Sequence, residues 1–267
     1  MLKSNSLPRA VVLPVLLCLG ALLPRISLAE EFGADTVWSD TKGYFTAPLH
    51  WDARDWTYVG GALALVGASH AFDDKVRTHF AIGDRAVLDG KDTHSTRDAA
   101  PAFALVAGTF AYAWWIDDEA GRVESYSMLE AAGLAAVTTT AFKYLAGRQR
   151  PNETTDENAW RKSGSSFPSL HGSAAFAIGT VFAESGGDEY RWIRRVIGYG
   201  VAGATAYVRM KDNVHWLSDT VAGAALGIAT AHFVLNRREQ RRASAGQFTV
   251  GPGADGGILL GYTIPLQ

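Results

Sequence analysis

Six apolar runs limit what this chain can fold into. They occupy residues 56–71, 99–116, 128–147, 172–183, 196–208 and 216–235, each bounded by charges or turn residues. All are rich in Ala and Gly, and none alternates apolar with polar residues as a half-buried strand does. The pattern predicts six helices and an all-α fold. Small residues let helices approach closely, which accounts for the Ala and Gly content in water or in lipid alike. Residues 30–55 are mixed polar and aromatic, with Trp38, Tyr44 and Trp51, and are expected to wrap over the bundle. From Gln247, two β-like runs at 248–250 and 258–264 flank a Gly-Pro-Gly-Ala-Asp-Gly-Gly stretch. A short hairpin and a disordered tail are both open readings there.

Run length bears on the solvent of the bundle. The runs at 56–71, 172–183 and 196–208 are 12 to 16 residues long, short of the ~20 that cross a bilayer core. Of the longer ones, 99–116 carries Pro101 and Gly108, 128–147 carries Glu130, and 216–235 carries Asp219 and His232. Mean hydropathy is only +0.01. These features favour a soluble or peripherally membrane-bound domain, with an integral membrane protein as the alternative.

Residues 1–29 read as a secretory leader: Lys3 and Arg9, then an apolar stretch over 10–23, then Ser27-Leu28-Ala29 as a small-x-small cleavage site. Export to the periplasm or cell envelope follows. The chain's one cysteine, Cys18, would leave with the leader, so no disulfide is expected. What remains divides into a helical domain over 30–245 and a tail over 246–267. The 25 basic against 27 acidic residues give no sign of a nucleic-acid partner.

Three polar clusters interrupt the apolar pattern. In Ser166-Phe167-Pro168-Ser169-Leu170-His171-Gly172, Ser169 stands at a helix N-cap and His171 falls in the first turn. A helix start presents unpaired N–H groups and a positive dipole end, which favour an anion. Upstream, Lys143 and Arg150 are seven residues apart, two helical turns if the helix continues, with Pro151 as the stop. Downstream, His215 and Asp219 are spaced i to i+4, one turn apart on a helix face, and follow Arg209. A carboxylate so placed can fix an imidazole tautomer. Three cations, two histidines and a carboxylate suit phosphoryl transfer through a histidine nucleophile.

Together, Lys143-x6-Arg150-Pro151, Pro168-Ser169-x-His171 and Arg209-x5-His215-x3-Asp219 resemble the three-part signature of the type 2 phosphatidic acid phosphatase superfamily. That superfamily includes bacterial acid phosphatases and vanadium haloperoxidases. The resemblance covers roughly residues 130–235. It departs at Leu170, where the family usually has Gly, and at Val208, where it usually has Ser; these departures bear on substrate preference rather than reaction class. The resemblance implies a six-helix core with the motifs at one pole. It further implies a phosphatase that needs no metal or other cofactor and acts on phosphate monoesters or lipid (pyro)phosphates through a phosphohistidine. Lys143, Arg150, Ser169 and Arg209 would hold the phosphate, His215 would attack, Asp219 would orient it, and His171 would serve the leaving group. The partner is then a phosphorylated small molecule or lipid, with peripheral membrane contact. Two alternatives stay open: a vanadium-dependent haloperoxidase, and a catalytically inactive phosphate-binding envelope protein.

Other polar residues read as structural. His50, His70, His79, His94 and His232 lack metal-ligand spacing, and Asp73-Asp74 and Asp117-Asp118 suit helix ends. The basic segment 236–242 suits the negative end of the last helix. Trp160, Leu170 and Trp216 are candidates for the mouth of the site.

Overall fold

A computed structural model describes residues 33–86, 88–92, 95–244, 247–252 and 258–263. The leader expected over residues 1–29 lies outside them. The described residues from 33 to 238 form a helical unit. Its helices are α1 (Ala34–Thr46), α2 (Ala53–His70), α3 (Asp73–Phe80), α4 (Ser95–Trp115), α5 (Glu119–Ala146), α6 (Leu170–Glu184), α7 (Arg191–Lys211) and α8 (Leu217–Ser244). All six helices expected from the apolar runs are present. The segment from Glu239 onward clusters separately. It contains an antiparallel hairpin of β1 (Gln247–Pro252) and β2 (Ile258–Thr263), with Gln247 opposite Thr263 and Pro252 opposite Ile258.

Helix ends follow local chemistry. Asp52 opens α2 with a full capping box to Asp55. Asp118 caps α5 by accepting from the Ala120 N–H at 3.0 Å. That cap starts α5 nine residues before the apolar run, because the added turns bury Glu124, Ser125 and Ser127 beside a single large apolar side chain, Val123. Residues 30–55 do not simply wrap the bundle; α1 is a helix in its own right. Its Tyr44 hydroxyl lies 2.9 Å from the Thr230 hydroxyl of α8 and accepts from Thr138 of α5 at 3.2 Å. Arg237, in the basic segment, pairs with buried Asp40 of α1 at 3.0 Å, and Arg238 is buried. Arg237 thus ties α8 to α1 as well as matching a dipole.

The core is arranged about α6, whose Ala175, Ala177, Ile178 and Val181 are fully buried. Met128, Ala131 and Ala135 of α5 and Ala202 of α7 join the same core. Glycine brings the neighbouring backbones close. A Cβ on Gly179 of α6 would stand 2.4 Å from the Gly198 carbonyl oxygen of α7. One on Gly227 of α8 would stand 2.3 Å from the Ser173 carbonyl oxygen of α6. Such contacts fix the height of α6 against α8, and with it the relation of the two helix starts.

Gly227→Ala is therefore expected to lower stability by about 1–3 kcal/mol through overpacking. Gly67→Ala in α2, with nothing within 4 Å of the added carbon, should raise it by up to ~1 kcal/mol through helix propensity. Denaturant melts of the two variants beside the parent protein check both signs.

Candidate active site

The end of α5 and the starts of α6 and α8 come together. Ser169 caps α6, its hydroxyl accepting from the Gly172 N–H at 3.2 Å. Its own N–H donates to the Asp219 carbonyl at 3.0 Å, joining the first turns of α6 and α8. Lys143, in the last turn of α5, donates through Nζ to the carbonyls of Ser165 and Ser166 in the approach to that cap. His171 lies in the first turn of α6 and is half-buried.

Sequence spacing misplaces one residue. Lys143 and Arg150 do not share a helix face, because α5 ends at Ala146. Gly147 takes the left-handed conformation at φ 54° and returns its N–H to the Lys143 carbonyl. Arg150 stands in the following loop, where its N–H donates to Glu153 Oε2 at 2.7 Å and its Nη1 to Asp92 Oδ2 at 2.8 Å. Arg209 reaches the same carboxylate: its Nη1 meets Asp92 Oδ1 at 3.0 Å, and its Nη2 meets Oδ2. It also pairs with Asp98 at 2.7 Å. Burial pushes the Asp92 carboxyl up, but hydrogen bonds from Arg209 and Arg150 outweigh it and hold the group well below the usual carboxylate range.

Asp219 is the hub of the pair with His215. Its Oδ2 accepts from the Trp216 N–H at 2.9 Å and the Ser166 hydroxyl at 2.5 Å, and lies 3.4 Å from His215 Nδ1. Its Oδ1 accepts from Arg148 Nη1 at 2.8 Å. Burial works against ionisation of Asp219, yet the His215 hydrogen bond and the Arg148 charge hold its pKa below the ordinary value. An ionised carboxylate only accepts, so His215 carries its proton on Nδ1 and keeps the Nε2 lone pair free. Burial pushes the His215 pKa down to about 3, against the pull of Asp219. The ring is thus a neutral base at neutral pH.

Behind the pair lies a buried cation. Arg148 is wholly buried between the rings of Trp160 and Trp216, 4.4 and 5.0 Å from their centroids. It bridges Asp219 and Asp73, meeting Asp73 Oδ2 at 2.7 Å. Asp73 in turn receives the Ser218 N–H at 2.8 Å and its hydroxyl at 2.6 Å, and lies 2.8 Å from His70 Nδ1. Asp73 is therefore a buried anchor rather than a solvated helix end. Trp216 does not line a mouth; it is 1% exposed and its indole donates to the Gln149 carbonyl. Sequence reading missed Asp73, Asp92, Asp98, Arg148 and Ser166 as parts of the site. Arg148 lies inside the first motif, and Ser166 stands three residues before Ser169; nothing local marks the aspartates.

An all-helical bundle with a His–Asp pair beside a cluster of cations is the class that fold and site define. Residues 125–243 match the model of the PAP2 superfamily. The domain over these residues is thus similar to that superfamily, the type 2 phosphatidic acid phosphatases. A Lipid A 1-phosphatase from Porphyromonas gingivalis is 37% identical over 113 residues, covering 40% of this chain and 23% of the relative. The chain thus matches under a quarter of that protein's length. No solved structure matches.

Two outcomes are expected of the site. Arg148→Met leaves Asp73 and Asp219 facing each other without their cation, and should cost about 3–5 kcal/mol in denaturant unfolding. Burial, aided by the Arg150 charge, pushes Lys143 down to about 8. The free ammonium is therefore charged below pH 8 and lost above it, so affinity for inorganic phosphate should fall as pH rises through about 8. In Lys143→Arg the guanidinium keeps its charge, and that fall should move to higher pH in titration calorimetry.

Proposed function

We propose that this protein is a phosphatase that removes a terminal phosphate from a lipid through a phosphohistidine intermediate, without a metal ion. The observation that carries the reading is a buried, neutral His215, oriented by Asp219, in the field of Lys143, Arg150 and Arg209. The cations offset the charge on phosphorus-bound oxygens, and Ser169 with the first N–H groups of α6 completes the anion cradle. Nε2 of His215 attacks phosphorus while the bond to the leaving oxygen breaks. His171 gives its proton to that oxygen. It then takes a proton from water, whose oxygen displaces His215 from phosphorus and releases inorganic phosphate. Asp219 stays ionised throughout and supports the positive ring.

The outer surface supports a lipid in preference to a small soluble ester. Along α5, Tyr126, Leu129, Val137 and Tyr144 are exposed, and the stripe they mark runs about 27 Å along the helix. Exposed Trp114 and Trp115 end α4, and exposed Trp192 and Val196 stand on α7. Apolar exposure on this scale marks an interaction surface, and aromatic residues suit a membrane interface. The length and composition of α8 would let it cross a bilayer, but half of its apolar window is buried in the bundle, as in any core helix. We read the protein as a membrane-associated enzyme of the cell envelope. The name of the Porphyromonas gingivalis relative agrees with a lipid phosphate as substrate.

The test is phosphate release by purified protein in EDTA, from a short-chain lipid phosphate and a soluble aryl phosphate side by side. Turnover of the lipid should exceed that of the aryl ester. His215→Ala should abolish release from both, His171→Ala should lower it by about 10²–10⁴-fold, and Asp219→Asn should cost less than His215→Ala. Full activity in His215→Ala would sink the mechanism, and preference for the aryl ester would sink the lipid assignment.

A further inference from the structure

Asp92 has a place in the site that none of the three motifs assigns. It comes from the segment between α3 and α4, yet its two oxygens take up donors of two motif cations. Arg209 holds it with both Nη atoms, and Arg150 shares Oδ2. One guanidinium fork and a second guanidinium N–H closing on two oxygens is an arrangement suited to a phosphoryl group. The segment is fixed on both sides of the site. Asn152, in the loop after α5, donates to the Lys91 carbonyl at 2.9 Å, and Gly90 returns an N–H to the Asn152 carbonyl at 3.0 Å. Asn213, in the turn before His215, donates to the Arg85 carbonyl at 2.9 Å. Asp92 is thus held at the cations by the same two loops that supply Arg150 and His215.

Resting on the reading of this cluster as the phosphate site, we propose that Asp92 is a specificity-determining residue: an internal carboxylate that occupies the phosphate's place and must be displaced by the substrate. Displacement exchanges one negative charge for that of the ligand. A terminal phosphate, with close to two charges at neutral pH, gains on the exchange. A phosphodiester, with one charge, gains nothing over the carboxylate it replaces. Asp92 thereby selects terminal phosphates against the diesters of ordinary lipid headgroups, and it also weakens retention of product phosphate. Arg209 keeps Asp98 at 2.7 Å when Asp92 leaves, so the cation is not stranded.

Titration calorimetry with inorganic phosphate and with dimethyl phosphate, on the full chain and on Asp92→Asn, tests this. Asn keeps the shape and loses the charge. Asp92→Asn should bind phosphate at least about tenfold more tightly, the worth of one charge-assisted contact, and should acquire measurable affinity for dimethyl phosphate. Unchanged or weaker phosphate binding in a folded Asp92→Asn would overturn the proposal. A second measurement needs no variant: hydrogen exchange at Gly90 in the parent protein should speed up on adding phosphate, and protection there would count against displacement. Failure of the phosphatase reading looks different. It would appear as absent turnover in the parent protein whatever Asp92→Asn does to binding, whereas turnover with no gain in Asp92→Asn would remove this proposal alone.

Discussion

One buried cation organises this molecule. Arg148 has no solvent contact, and a lone guanidinium in such a place would be prohibitively costly. Its burial is tolerated because two carboxylates, Asp73 and Asp219, take its charge, and two indoles, Trp160 and Trp216, cover its faces. Those partners come from α3, from the start of α8, and from the turns before α6 and α8. Neither the guanidinium nor the two carboxylates could be buried without one another, so the ion cluster fixes their relative positions.

The same cluster sets the chemistry at the pole. A carboxylate free to pull on His215 would favour the imidazolium, which cannot attack phosphorus. Arg148 on Oδ1, with Ser166 and the Trp216 N–H on Oδ2, spreads the charge of Asp219 over several donors. Burial then decides the state of the ring, and His215 stays neutral. Orientation without protonation is what the proposed nucleophile needs. The glycine contacts of α6 with α8 serve the same end, since they set the height at which the Ser169 N–H meets the Asp219 carbonyl.

How much of this was legible in the sequence depends on the range of the interaction. The six core helices announce themselves by apolar runs, and the His215–Asp219 pair by its i to i+4 spacing, both local signals. The apolar runs begin later than α5 and α7 do because charges interrupt the first turns of both helices, and the basic end of α8 hides that the helix runs on to Ser244. Arg150 was placed on a helix face because spacing alone cannot show that Gly147 turns left-handed. Asp73, Asp92 and Asp98 were out of reach for a different reason. Each pairs with a cation more than 50 residues away in the chain, and an aspartate at a helix start has the same local appearance whether it faces water or a buried guanidinium. Fold and motif were local information; the ion cluster was not.

The candidate site therefore holds two carboxylates in opposed roles. Asp219 lies behind His215, the proposed nucleophile, with every oxygen engaged by donors of the fold, which hold it in place. Asp92 lies in front, engaged among the described residues by guanidinium groups that an incoming anion also satisfies. Arg150 is held by its backbone to Glu153, and Arg209 is held through Asp98, so both cations keep their positions when the front carboxylate is exchanged. Preorganisation of this kind requires that the empty site not collapse onto its own like charges. A removable internal anion meets that requirement: it keeps the two guanidinium groups apart and paired until a ligand of higher charge takes over.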